Sequence, residues 1–392
     1  MIYIKSNFSN KLKKYEQTNV VVLLESAFGN DLFSKSVKNA FFTGYKPNVK
    51  NFVLIYDDKY IVGIAVVGFR KVKLVSNSFK AMTVGPIAID PIYQGRGLSK
   101  LLMEHLDLIG VKSKTDVIYL GGIRDFYRQF DYVSCLSKSK IVIDKDDLPV
   151  VPNVTVLALD KKSLGSVKSL FRNACLANTL TSVRGSNEWK FLTKFCKNSY
   201  HFFKPQVVLF NGKVTGYFCL DPVERGRIRE SVYIQNFSQL NRFLAGLRLY
   251  FDKLGCSQIE VMTPRNSVIY DYCKLYLTCV FVEYIKNNAG QLMKILDIEL
   301  FVAKVNVSMF KYCLRIEIVN PVMQIKIFST RRAKKNTEDC VFCAPELFPG
   351  IVTGHHCLSV LKNYGKISNM FKCDLNLAFN SKLPFIYQGD NY

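Results

Sequence analysis

Apolar positions along the chain follow two rhythms, and together they sketch a fold. Residues 19–28 are apolar densely enough for a helix, and Gly29 supplies its stop. Residues 52–56 and 61–69 are near-continuous apolar runs on either side of Asp57-Asp58-Lys59, which predicts two buried strands joined by a hairpin. The longest such runs reach about ten residues, enough for a buried strand and too few to cross a bilayer. A further strand over 82–89 leads through Asp90-Pro91-Ile92-Tyr93-Gln94-Gly95-Arg96-Gly97 into an apolar helix that carries Leu101, Leu102, Met103 and Leu106. A strand from Val117 and an aromatic turn through Phe126, Tyr127, Phe130 and Tyr132 come next.

Acidic residues and two prolines interrupt the pattern over 144–152, and a domain edge is expected there. A second α/β segment follows, with helices over 164–177 and around 188–192, a hairpin over 207–217 turning at Asn211-Gly212, a strand at 231–234 and a helix over 240–254. Its strand-to-helix junction, Gln235-Asn236-Phe237-Ser238-Gln239, has no glycine, so no phosphate cradle is expected in this segment. From Gln291 the character turns α+β: a short helix, then strands over 314–319 and 323–328 joined through the basic tip Arg331-Arg332-Ala333-Lys334-Lys335-Asn336, then a helix at 358–361. The expected domains are 1–148, 149–290 and 291–392.

At 392 residues the chain exceeds one ordinary core, in keeping with that division. Its 54 Lys and Arg against 31 Asp and Glu give +23, a field that favours polyanions: nucleic acid, an anionic membrane surface or an anionic cofactor. The excess is spread along the chain without a dense basic tract interleaved with aromatics, so nucleic acid is not an expected partner. The cysteines stand singly apart from Cys340 and Cys343, which argues against a small disulfide framework and for the reducing cytoplasm. Residues 1–7 lack the charged-then-apolar order of a signal peptide.

The junction at 94–99 carries the clearest chemistry. Gly95 and Gly97 let the backbone bend without Cβ clashes, so several N–H groups can converge on an anion at the positive end of the following helix, with the Arg96 charge nearby. A pyrophosphate suits such a loop. Taken alone, a strand-to-helix turn with two glycines is often only a turn.

Gln94, Gly97 and Ser99 stand on the pattern positions of the acetyl-CoA loop of the GNAT acetyltransferase superfamily, Arg/Gln-x-x-Gly-x-Gly/Ala. Phe126-Tyr127 with Phe130-Asp131-Tyr132 resembles that superfamily's second signature, a strand followed by a Phe-Tyr-x-x-Phe-Gly-Tyr-like turn. Glu25-Ser26-Ala27-Phe28-Gly29, Gln291-Leu292-Met293-Lys294-Ile295-Leu296-Asp297, Gly350-Ile351-Val352-Thr353-Gly354, Leu383-Pro384-Phe385 and the closing Asp390-Asn391-Tyr392 extend the likeness over the whole chain, which resembles the Eis family of N-acetyltransferases. The resemblance implies α/β and α+β architecture: tandem GNAT-like mixed sheets flanked by helices, followed by a smaller α+β sterol-carrier-like domain.

It also implies acetyl-CoA as co-substrate. The phosphates fall to Gln94, Gly95, Arg96, Gly97, Leu98, Ser99 and Lys100, and the pantetheine arm to the strand edge at Ile87, Ala88 and Ile89, with Gly122 and Ile123 beside it. An alkylammonium with a pKa of about 10 is a poor nucleophile until its proton is removed. The resemblance gives that task to the terminal carboxylate, here Tyr392, and proton donation to the leaving thiolate to Tyr127. Asp131 departs from the family's glycine, yet Asp tolerates a left-handed conformation.

Cys340, Cys343, His355, His356 and Cys357 are zinc-ligand types in a spacing unlike ordinary fingers, and no metal is expected. His105 reads as structural or surface, while Glu25 and Asp31 are candidates for contact with a cationic substrate. The expected activity is acetyl transfer to a primary amine, an aminoglycoside-like polyamine or a lysine-type acceptor. A non-catalytic CoA- or anion-binding scaffold and a protein or peptide acetyltransferase are the alternatives, and a homo-oligomer is a possible assembly.

Overall fold

The computed structural model describes residues 1–8, 12–29, 49–74, 77–136, 138–176, 180–194, 205–221, 224–263, 267–284, 289–309, 314–319, 324–329, 340–343 and 367–368. The two apolar runs around Asp57 form β2 (Val49–Asp57) and β3 (Tyr60–Leu74), antiparallel through a turn in which Asp58 takes φ +50°. Before them lie β1 (Ile2–Phe8), paired with β2, and α1 (Lys14–Phe28), which ends on Gly29 at φ +60°. The helix starts five residues before the apolar pattern, and in its otherwise exposed polar first turn Glu16 is buried. Glu16 accepts the Lys13 amide at 2.7 Å and the Tyr56 hydroxyl at 2.8 Å, and burial together with that bond pushes the Tyr56 phenol up.

The chain continues through β4 (Asn77–Ile89), α2 (Leu98–Lys112), β5 (Val117–Ile123), α3 (Arg124–Arg128) and β6 (Val133–Leu136). Alternate residues of β2 divide between two cores: Val53 and Ile55 face α2, and Phe52, Leu54 and Tyr56 face α1. Burial on both faces is why these strands read as continuous apolar runs rather than alternating ones.

The second sheet is built from β7 (Lys138–Asp144), β8 (Val154–Ala158), β10 (Gln206–Phe210), β11 (Lys213–Leu220), β12 (Arg227–Tyr233), β13 (Gln258–Met262) and β14 (Cys279–Tyr284). On one face pack α4 (Leu164–Leu176) and α5 (Ser186–Lys194), on the other α6 (Phe237–Leu254) and α7 (Val268–Tyr276). The short β9 (Leu180–Ser182) leaves this segment and pairs with the far end of β3. Two mixed sheets flanked by helices are the tandem architecture expected of the sequence.

The sheets exchange a strand. The first runs β1-β2-β3-β4-β5-β15-β6, with β15 (Ala289–Ile295) lodged between β5 and β6, and the second runs β14-β7-β13-β12-β11-β10-β8, with β7 lodged between β14 and β13. Each module therefore receives its seventh strand from the chain segment that follows the other module's sixth. The edges expected at 148 and 290 mark changes of composition, whereas β7 joins the second sheet before the first edge and β15, spanning the other, returns to the first.

After α8 (Ile298–Met309) comes a separate antiparallel sheet of β16 (Leu314–Val319), β17 (Gln324–Ser329), β18 (Cys340–Cys343) and β19 (Ile367–Ser368). Here one expectation is corrected: β16 and β17 pair from Val319 against Gln324, a short hairpin, so the basic run 331–336 follows β17 instead of joining the pair. That run lies outside the described residues, as do Asp31, His355, His356, Cys357, the expected helix at 358–361 and the closing segment with Tyr392. Among the described residues no cluster of three metal-ligand side chains occurs, and no helix is long and apolar enough to cross a membrane.

Candidate active site

A gap in the first sheet sets the site. Residues 81–84 of β4 pair parallel with 117–120 of β5, but beyond Val84 and Leu120 the two strands part. The divergence begins at an irregularity where Val84 and Ile87 face Val67 and Ala65 of β3, so β4 carries one residue more than its partner. From there β4 follows β3 alone through Ala88 against Ile64 and Ile89 against Gly63. On the other side of the gap Gly121 and Ile123 become exposed, after four buried residues of β5. Ile87 and Ile89 pack toward α2 and Ala88 toward α1, so what these three residues offer the gap is backbone.

At the end of β4, Asp90 accepts the Ile92 amide at 3.0 Å and starts a single 3₁₀ turn. Gly95 and Gly97 follow, both at φ +76°, with open space where a Cβ would stand. Gly97 is the N-cap of α2 and has no side chain to cap it. The amides of Leu98, Ser99 and Lys100 thus lack both an intrahelical partner and a capping group, at the positive end of a fifteen-residue helix. The Leu98 side chain is buried, so this residue contributes its amide alone. Lys100 lies 3.9 Å from Glu104 with both side chains largely exposed, a weak pair that leaves the ammonium free to swing.

The loop's cation is better placed than sequence could tell. The Arg96 guanidinium sits 4.8 Å above the Tyr93 ring, and the Tyr93 hydroxyl donates to Asp57 Oδ2 at 3.0 Å. That bond holds the Asp57 carboxyl below the usual carboxylate range. Gln94 turns its side-chain amide back toward the Ile89 carbonyl at 3.4 Å, so the Gln94 side chain braces the strand end rather than reaching outward.

On the opposite wall α3 buries Tyr127 to 8 % exposure, and burial pushes its phenol up to about 12. Its hydroxyl has no hydrogen-bond partner among the described residues. The edge of the ring abuts Gly122, where a Cβ would stand 2.3 Å from Tyr127 Cε2. The two expected site residues thus meet, and a side chain at 122 would evict the ring. Asp131 takes φ +65°, the left-handed conformation expected where the family pattern has glycine. His105 bonds Ser6 at 2.6 Å between α2 and β1, as a structural histidine.

The second module keeps the strand divergence and fills it. Only Arg227 and Ile228 of β12 pair with β13, yet the Tyr233 hydroxyl accepts the Ile269 amide of α7 at 2.9 Å across the opening. Asn236 caps α6 by accepting the Gln239 amide at 2.9 Å, using a donor that α2 leaves free.

Residues 10–134 match the Acetyltransferase (GNAT) domain family. A comparison of the sequence with curated proteins finds none that matches. Among solved structures, Eis1 from Mycobacterium abscessus is 14% identical with a TM-score of 0.64 over 100% of both chains. A GCN5-related N-acetyltransferase from Anabaena variabilis is 14% identical with a TM-score of 0.66 over 98% of this chain and 99% of its own. A tandem GNAT protein from the clavulanic acid biosynthesis pathway is 10% identical with a TM-score of 0.51 over 76% of this chain and 99% of its own. At such identities the likeness concerns the fold, which agrees with the two exchanged sheets. The family match thus gives an acetyltransferase (GNAT) domain at residues 10–134, and the solved structures share the fold of the chain around it.

Proposed function

We propose that the first module transfers an acetyl group from acetyl-CoA to the primary amine of a small polyamine or a lysine-type acceptor, in the cytoplasm. The observation that carries this reading is the parting of β4 from β5, with an uncapped helix end on one side and a buried, unpartnered phenol on the other. When bound, acetyl-CoA supplies the activated thioester. The amides of residues 98–100 hold its diphosphate, assisted by Arg96 and Lys100. The edge of β4 at residues 87–89 runs along the pantetheine arm as an added strand would, orienting the carbonyl. The neighbouring second module, its opening closed by Tyr233 and its helix capped by Asn236, serves as scaffold.

Tyr127 donates a hydrogen bond to the departing sulfur. Its phenol, at about 12, keeps its proton against an alkyl thiolate of ordinary pKa about 8.5, so the donor stabilises the thiolate without becoming a phenolate. The amine is deprotonated beside the terminal carboxylate of Tyr392, carried by a sterol-carrier-like third domain. Deleting Tyr392 is expected to lower kcat by about 10²-fold at unchanged CoA affinity. Full kcat in that deletion would move the base elsewhere.

Release of thiol from acetyl-CoA, followed with aminoglycosides, free polyamines and lysine peptides, tests the activity itself. CoA binding without turnover on any amine would favour a binding scaffold, and turnover confined to lysine peptides a protein acetyltransferase. The loop is tested separately. Gly97→Ala forces an L-residue to φ +76° at a cost of about 1–2 kcal/mol, and CoA binding by calorimetry is expected to weaken by about 5–30-fold. Unchanged affinity would exclude the loop from the binding site.

A further inference from the structure

We infer that Lys294, on the strand exchanged into the first module from beyond the second, is a positioning residue for Tyr127. The inference rests on the proposed role of Tyr127. Strand β15 lies between β5 and β6, so the segment 124–132 that carries Tyr127 must pass over it. From β15 the Lys294 ammonium reaches Asp107 Oδ2 on α2 at 2.7 Å and Asp131 Oδ2 at 3.5 Å, and it stands 5.9 Å from the Tyr132 ring.

Two of these contacts fall on the end of the turn, at Asp131 and Tyr132, and the third on α2. Asp131 is the residue at φ +65°, where the chain reverses after α3. The Tyr127 carbonyl accepts the Phe130 amide at 3.0 Å and the Tyr132 amide at 3.3 Å, which closes the turn on itself. The Tyr132 ring, fully buried, packs 6.1 Å from that of Tyr127. The Asp131 carboxylate is 84% exposed, so the firmer contact is the bond from Lys294 to Asp107, and through Lys294 that bond joins α2 to the loop that sets the Tyr127 ring against Gly122. The Lys294 side chain is only 15% exposed and is the sole hydrogen-bond partner of the Asp107 side chain among the described residues. Its loss leaves Asp107, whose carboxyl burial already pushes up, with nothing to offset its charge.

The test combines kinetics with amide exchange in the full-length protein. Lys294→Met is expected to lower kcat by about 10–100-fold through misplacement of the donor, with the KM for acetyl-CoA changed by less than about 2-fold. Lys294→Arg, which keeps the charge, is expected to recover most of that loss. In a Tyr127→Phe background the Met substitution adds less than about 2-fold, because its effect passes through the missing hydroxyl. Exchange of the Phe130 and Tyr132 amides accelerates by about 10-fold in Lys294→Met. An equal loss of kcat in both backgrounds, or unchanged exchange in the turn, overturns the inference. A wild-type protein that turns over no amine would remove the proposed function instead, and the exchange measurement still decides whether Lys294 holds the turn.

Discussion

Tyr127→Phe lowers kcat by about 10²–10³-fold while leaving the affinity for CoA within about 2-fold of wild type. The substitution removes one oxygen and keeps the ring, so the packing against Gly122 and Tyr132 survives. The hydroxyl makes no hydrogen bond among the described residues, so its removal leaves no buried partner stranded and the fold loses little. The proposed phosphate contacts lie on the other side of the β4–β5 gap and are untouched. The phenol titrates at about 12, so any alkaline fall in wild-type rate below about pH 11 belongs to another group and persists in the variant. Steady-state kinetics beside calorimetric titration with CoA measures both halves. A Phe variant with wild-type kcat would remove Tyr127 from the chemistry.

The largest effect on stability is expected at Arg184. Its guanidinium makes two bonds to Glu230, Nη1 to Oε1 at 2.8 Å and Nη2 to Oε2 at 2.6 Å, with both side chains almost fully buried. The Tyr217 hydroxyl donates to the same carboxylate at 2.5 Å, and the Phe171 and Trp189 rings lie 4.2 and 5.4 Å from the guanidinium. Arg184→Met leaves a carboxylate in an aromatic core without its counter-ion, a loss of about 3–5 kcal/mol. Trp189 is the chain's one tryptophan and borders the lesion, so its fluorescence through a denaturant titration reports the second module directly. Converting Glu230→Leu in the same chain recovers much of the loss, since the buried charge goes with its partner. An unchanged unfolding midpoint in Arg184→Met would show that the pair contributes nothing.

What could be read from sequence was local. The hairpin at Asn211-Gly212 forms with φ +48° and +74°, the stop at Gly29 holds, and the glycines at 95 and 97 adopt the left-handed conformation that a converging amide loop requires. Asp131 was legible for the same reason, because the need for positive φ is written in a single turn. Strand exchange was not. An apolar run announces that both its faces are buried and is silent on which neighbour it takes, so β7 and β15 read as members of the nearer segment. The bracing of the site escaped likewise. Asp57 under Tyr93, and Lys294 between Asp107 and Asp131, join residues far apart in sequence that meet only once the sheet has formed. Glu16, ahead of the apolar run at 19–28, is likewise part of the core through a tertiary partner, the Tyr56 hydroxyl.

The exchanged strands also order events during synthesis. When β6 leaves the ribosome the first sheet still has a slot beside β5, bordered by unpaired amides and carbonyls, and the piece that fits it is not made until Ala289–Ile295 emerges. The second sheet has no such wait, because β7 is translated before the rest of it. The downstream module can therefore finish first, and the nascent first module keeps an open edge, a place for mispairing, until it does.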